Sequence, residues 1–323
     1  RFNYDEKDVD FQRTVSGGAP LPTAALRALR SAQYSNQAFK ADINDENVTG
    51  TVTLNYALAD TINVYGTLST GFKPVGLNLG GLPTDAGRVM TELSIIKPEY
   101  VQHYELGVKS SPLPNATLNF VLYQTDIEDY QAQVQTADIA VNRGYLANAE
   151  EVQVRGFEID GRLLLGNLTL QGAYAWTDSE YVSFTNAPLP LELVGSPVAF
   201  IDVSGGRLPG ISKNAVSLGG EYVHPWSVFG SNGEFFVGVD TYYRSEFSSS
   251  PSPSQYLNID GYSLVNARLG FRTDESWSGF LWSRNLTDKD YFEQLLPGAG
   301  NAGHYAAVLG DPRTYGATVR YNF

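Results

Sequence analysis

Three histidines, His103, His224 and His304, are the side chains best suited to proton transfer or metal ligation near neutral pH. None is spaced with another histidine or with a carboxylate as a zinc site requires. Cysteine is absent, which excludes thiolate metal sites and a disulfide framework and is compatible with an oxidising compartment. No G-x-S-x-G elbow, phosphate-binding glycine loop or catalytic carboxylate pair is present. The residues therefore predict a protein that is not an enzyme and carries no cofactor or metal. What remains is recognition chemistry. Tyr130, Tyr145, Tyr181, Phe184, Tyr256, Tyr291, Phe292 and Tyr305 fall in long irregular segments, where aromatic faces can stack on a small ligand. His304 joins them as a polar contact. Their alternative role is packing of the loops themselves.

A second set, Glu105, Glu158, Asp160, Arg162, Asp240, Arg244 and Arg268, recurs on the polar side of alternating segments. A dry protein core does not hold such charges unpaired, whereas a hydrated interior wall does. The formal net charge of −13 argues against nucleic acid as a partner, because that interface needs a basic face. The acidity solubilises exposed loops or, in a sharper reading, attracts cationic ligands or divalent ions.

The elements that would position these residues are strands. In the last eleven residues, Tyr315, Ala317, Val319, Tyr321 and Phe323 share one face, and Thr314, Gly316, Thr318, Arg320 and Asn322 share the other. The same period of two recurs along the chain in about twelve segments. Examples are Val52, Leu54, Tyr56 and Leu58, and again Leu168, Leu170, Gly172, Tyr174 and Trp176. Their connections alternate short and long, with tight turns at Asp60, at SPLPN, at Gly166-Asn167, between His224 and Gly233, and at TDES. Long loops are expected at 16–45, 71–98, 131–150, 183–212, in SSSPSPSQ and at 296–312, with a short helix from Thr23 to Ser31. Such alternation fits a transmembrane antiparallel meander β-barrel, with short periplasmic turns, long extracellular loops, an apolar face on lipid and a polar face on the lumen. Tyr174, Trp176 and Tyr222 then belong to its interfacial aromatic girdles. No stretch of roughly 18 apolar residues exists to form a membrane helix, and the mean hydropathy of −0.21 does not oppose a barrel, half of whose strand residues are polar.

Six segments resemble, in order, the C-terminal part of TonB-dependent outer-membrane receptor barrels. They are STGFKPVGLN (69–78), KPEYVQHYELGVKSS (97–111), ANAEEVQVRGFEIDGRL (147–163), YSLVNARLGFR (262–272), SRNLTDKDYFEQ (283–294) and GDPRTYGATVRYNF (310–323). The resemblance implies a barrel of about 22 strands, of which residues 1–323 supply roughly the last twelve. It implies an N-terminal plug domain and first strands outside this chain, in keeping with a chain that opens at Arg1 and holds a single Met. It further implies energy coupling through the TonB–ExbB–ExbD complex, and a terminal signal to the barrel-assembly machinery at Phe323, supported by Val319 and Tyr321. The implied function is active uptake of a scarce nutrient, a ferric siderophore being the commonest class. The lumen charges would hold the plug. Competing readings are a complete twelve-stranded passive pore or autotransporter translocator, an outer-membrane hydrolase, and a soluble sheet protein. The pore requires the first and last strands to pair.

Overall fold

A computed structural model describes residues 1–323 except 34–35, 80–81, 83, 86–87, 137–142, 194–195, 197, 199, 229–230, 252, 274–276, 299–303 and 322–323. Phe323 and its proposed assembly signal lie outside the described residues. The long strands are β1 (Phe2–Arg13), β2 (Gln37–Val48), β3 (Gly50–Ala59), β4 (Ile62–Lys73), β5 (Glu99–Leu113), β6 (Ala116–Thr136) and β7 (Arg143–Leu165). They continue as β8 (Leu168–Ser183), β9 (Asn214–Val228), β10 (Ser231–Arg244), β11 (Tyr262–Thr273), β12 (Trp277–Arg284) and β13 (Thr314–Tyr321). From β3 to β13 they form one 11-stranded sheet in strict sequence order, every pair antiparallel. β1 and β2 make a separate ribbon. Among the described residues β3 and β13 have a neighbour on one side only, so the closing pair that a complete twelve-stranded pore requires is not present.

The period-2 pattern predicts these faces: Leu54, Leu106, Leu218 and Val319 on the apolar face are exposed, Val319 by 80%. In WSGFLWSRNL, where the sequence leaves the outward face open, Leu281 is exposed. In water such a continuous apolar sheet face is untenable; against lipid tails it is the required surface. Phe120, Phe157, Tyr174 and Trp176 cluster on it, with ring centroids of Phe157 and Trp176 6.0 Å apart. The Tyr174 hydroxyl donates to Asn214 Oδ1 at 2.8 Å, and Lys213 Nζ lies 5.4 Å from the Trp176 ring, an apolar body with a polar rim as an interfacial girdle requires.

The lumen face is kept low by a repeated device. Tyr65 lies across Gly107, Tyr123 across Gly156, Gln171 across Gly219, Arg268 across Gly238, Phe280 across Gly270 and Trp282 across Gly316. In each case the glycine is the residue directly opposite in the ladder. A Cβ at Gly107 would stand 2.4 Å from the Tyr65 ring. The large side chain can lie flat only because its cross-strand partner has none.

The periplasmic turns are tight. Gly166 takes φ +57° in the two-residue β7–β8 turn, a conformation that favours glycine. The helix forms at Ala24–Gln33, where the Thr23 hydroxyl accepts from Leu26 N at 3.2 Å as an N-cap.

Three boundaries differ from the sequence expectation. Of residues 131–150, expected as a loop, 131–136 and 143–150 extend β6 and β7 to 21 and 23 residues, far beyond bilayer thickness, and 137–142 lie outside the described residues. The alternation that builds this hairpin, Gln131-Ala132-Gln133-Val134-Gln135, is present in the sequence. Residues 37–45, also expected as loop, belong to β2, because Phe39, Ala41 and Ile43 alternate with Lys40, Asp42 and Asn44. The turn expected between His224 and Gly233 shrinks, since β9 reaches Val228 and β10 starts at Ser231.

Candidate functional site

Above the sheet the long connections fold into a crown with its own core. Ala132, Val134, Tyr145, Ala149, Val152, Tyr181, Phe184, Ala187 and Leu208 are buried together. Phe184 is fully buried, and its ring centroid lies 5.1 Å from that of Tyr181. Tyr130 packs on this core, 6.4 Å from Tyr181. Tyr145, Tyr181 and Phe184, expected as ligand contacts, are buried and join loops that are remote in sequence, and Tyr181 also lines a cavity with Val203, Arg207 and Phe247. The Tyr145 and Tyr181 hydroxyls are buried without hydrogen-bond partners among the described residues. Burial pushes the Tyr145 phenol up to about 12 and that of Tyr181 higher still.

Amide side chains fasten loop backbone to this core. Asn78 Nδ2 donates to Leu93 O and Leu146 O at 2.8 and 2.9 Å, while Asn78 Oδ1 accepts from Leu146 N. Asn148 Oδ1 accepts from Lys97 N at 2.9 Å, and buried Glu99 accepts from Gln131 N at 2.9 Å. In the NLTDK segment, Asn285 (φ +46°) donates to Lys289 O and Asp311 O and accepts from Lys289 N. Asp288 (φ +54°) pairs with Arg313 at 3.3 Å. These bonds hold loop backbone in place, and the NLTDK segment also gives Lys289 to a cavity wall.

A separate junction ties three loops. Glu192, in the short helical turn Leu191–Leu193, accepts from Ser254 Oγ at 2.5 Å and from the Tyr305 hydroxyl at 2.5 Å. Tyr256, half exposed, leans on Tyr305 with centroids 5.7 Å apart. Burial raises the Glu192 carboxyl, but the two hydrogen bonds outweigh it and hold the group below the usual glutamate range. Burial, together with the anionic partner, pushes Tyr305 up to about 12.

Two cavities open in the crown. One, of about 340 Å³, lies between residues 203–207 and 246–258, with the Arg207–Glu246 pair (3.1 Å) at its edge. The other, of about 700 Å³, lies between residues 258–262 and 289–312. Tyr291 and Phe292 line the larger one, beside Tyr262, whose ring is 4.6 Å from that of Tyr291. Sequence reading did not identify Tyr262, Asp260, Lys289 or Asp311 there, because only the fold brings the two loops together. His304 is exposed, and its carbonyl accepts from Gly298 N. The larger cavity is of ordinary ligand size, with aromatic walls and a few polar groups. Among the described residues no cluster of three His, Asp or Glu could hold a metal ion.

On the lumen wall the charges divide. Arg268 pairs with Glu221 (3.0 Å) and Asp240 (3.5 Å), and Arg272 pairs with Glu221 and Glu234. Arg244 donates to Ser212 Oγ and Gly210 O, both at 2.8 Å, and its guanidinium stacks on Phe247. Asp160 accepts from Asn119 at 3.0 Å. Glu105 lies 3.5 Å from His103. Glu158 and Arg162 have no ion-pair partner among the described residues.

An ordered meander of membrane-length strands, with apolar outer and charged inner faces, defines the wall of an outer-membrane β-barrel. The family model described as TonB dependent receptor-like, beta-barrel, matches residues 4–286, and the chain belongs to this family. It is an outer-membrane protein by that membership, in a family of receptors and transporters. It is 25% identical to the ferric-pyoverdine receptor PbuA of Pseudomonas sp., over 83% of this chain and 29% of the relative. It is likewise 25% identical to the catecholate siderophore receptor Fiu of Escherichia coli (strain K12), over 83% of this chain and 32% of the relative. The chain therefore spans under a third of the length of these relatives. The crystal structure of the ferric yersiniabactin uptake receptor FyuA from Yersinia pestis superimposes with a TM-score of 0.68 at 19% identity, covering 90% of this chain and 39% of FyuA. At that identity the likeness is one of fold.

Proposed function

We propose that the protein carrying this chain takes up a ferric siderophore across the outer membrane, driven through TonB. The family supports a receptor that works with TonB and a small ligand. The observation that carries the reading is the aromatic-walled cavity of about 700 Å³ in the crown, where a scarce ligand would be caught before transport. Tyr291 and Phe292 are the proposed contacts, with exposed Tyr256 and His304 and half-buried Tyr305 on the neighbouring loops. Tyr130, Tyr145, Tyr181 and Phe184 act indirectly, by holding the crown.

In this reading residues 1–323 are the C-terminal part of the barrel, and the protein's own plug domain precedes them. Glu158 and Arg162, unpaired on the wall, are the plug's proposed anchors. The Arg268 cluster is self-satisfied and stiffens the wall. ExbB and ExbD would energise TonB, and the barrel-assembly machinery would recognise the terminal strand through Val319, Tyr321 and Phe323. The test is uptake of iron-55 siderophores by a receptor-deficient strain expressing the full-length protein. Uptake that disappears when TonB is deleted supports the reading. Surface-exposed receptor with no TonB-dependent uptake of any siderophore overturns it.

A further inference from the structure

The larger crown cavity has a charge as well as a size. Asp260, Asp290 and Asp311 line it against a single cation, Lys289. All four are exposed, and no ion pair neutralises any of the three carboxylates among the described residues. The nearby pair, Asp288 with Arg313, uses up the one arginine of this loop. The walls are aromatic and aliphatic, Tyr262, Tyr291 and Leu295, so the charges act beside low-dielectric material that carries their field into the cavity. This is the reverse of a polyanion site, which presents an excess of arginine or lysine.

We infer that this cavity selects neutral ferric chelates or cationic ones that bear a free ammonium group, and rejects trianionic chelates. The inference rests on the siderophore reading above and sharpens it to a charge class. Aromatic faces take the apolar body of the chelate, and the aspartates take its ammonium.

Binding of three iron-55 probes to the full-length receptor in outer membranes tests it: a triscatecholate, a neutral cyclic trihydroxamate and a linear trihydroxamate with a free amine. The cation should bind at least about tenfold more tightly than the trianion. Replacing the three carboxylates, D260N with D290N and D311N, should narrow that ratio by about tenfold while binding of the neutral chelate holds. Should the triple variant fail to assemble, the wild-type protein still decides: the association rate of the cation must fall with added salt, and that of the neutral chelate must not. A trianion that binds tightest, or a ranking that neutralisation and salt leave unmoved, overturns the charge assignment and leaves the siderophore reading standing. Binding of none of the three overturns the charge assignment, and absence of TonB-dependent uptake of any siderophore overturns both.

Discussion

The wall and the crown are built by opposite rules. In the wall, neighbours in sequence are neighbours in space, the backbone ladder satisfies every interior strand, and side chains need only be apolar outward and polar inward. In the crown, residues more than fifty apart must meet: Tyr305 reaches Glu192 across 113 positions and Asn78 reaches Leu146 across 68. The wall tolerates exchange within a chemical class. The crown depends on individual side chains. The proposed recognition site thus lies where substitution changes most, on a frame that substitution changes least.

Four changes would break or sharpen that contrast. Phe184→Ala should have the largest effect, about 3–5 kcal/mol, because it empties a fully buried crown position. Limited proteolysis should then cut the outer loops rapidly, while the heat-modifiable migration of the folded barrel on gels stays unchanged. Gly107→Val should reverse the pattern. It drives a side chain into the Tyr65 ring and should cost about 1–3 kcal/mol, seen as a lower unfolding temperature of the barrel with crown proteolysis unaltered.

Glu192 supplies a pH test. Its carboxyl is held below its unfolded value of about 4.3, so the three-loop junction is fully stabilised above that pH and is lost as pH falls through the lower, folded value. Cleavage of the loops by an acid-active protease should accelerate below about pH 4 in the wild type. Glu192→Gln should cut faster at higher pH and lose the pH dependence. The smallest effect belongs to Lys40→Ala, which removes an exposed ion pair with Asp10 and should leave the midpoint of a denaturant titration unchanged.

What was legible in the sequence follows the same division. Leu54, Leu106, Leu218 and Val319 reveal the lipid face because a strand crossing lipid leaves its period in the sequence. The extension of β6 and β7 was equally written in Gln131 to Gln135, but alternating glutamine and small residues read as loop where no lipid demands bulk. The cavity was half legible. Tyr291 and Phe292 announce themselves by type, whereas Asp260 and Tyr262 become cavity residues only when β11 brings them beside Lys289. Buried Tyr145, Tyr181 and Phe184 mark the boundary of the method, since an aromatic in a loop has the same local sequence whether it meets a ligand or another loop.

The side chains that lie over facing glycines have a consequence for how the wall is made. Each such pair works as a notch and peg between two successive strands. A strand laid down one residue out of step would turn Tyr65, Tyr123 or Trp282 outward and set a side chain where the notch should be. The mistake would be felt at once, across that one seam, before the next strand arrives. Assembly can therefore be proofread one seam at a time, with no need for the cylinder to close first.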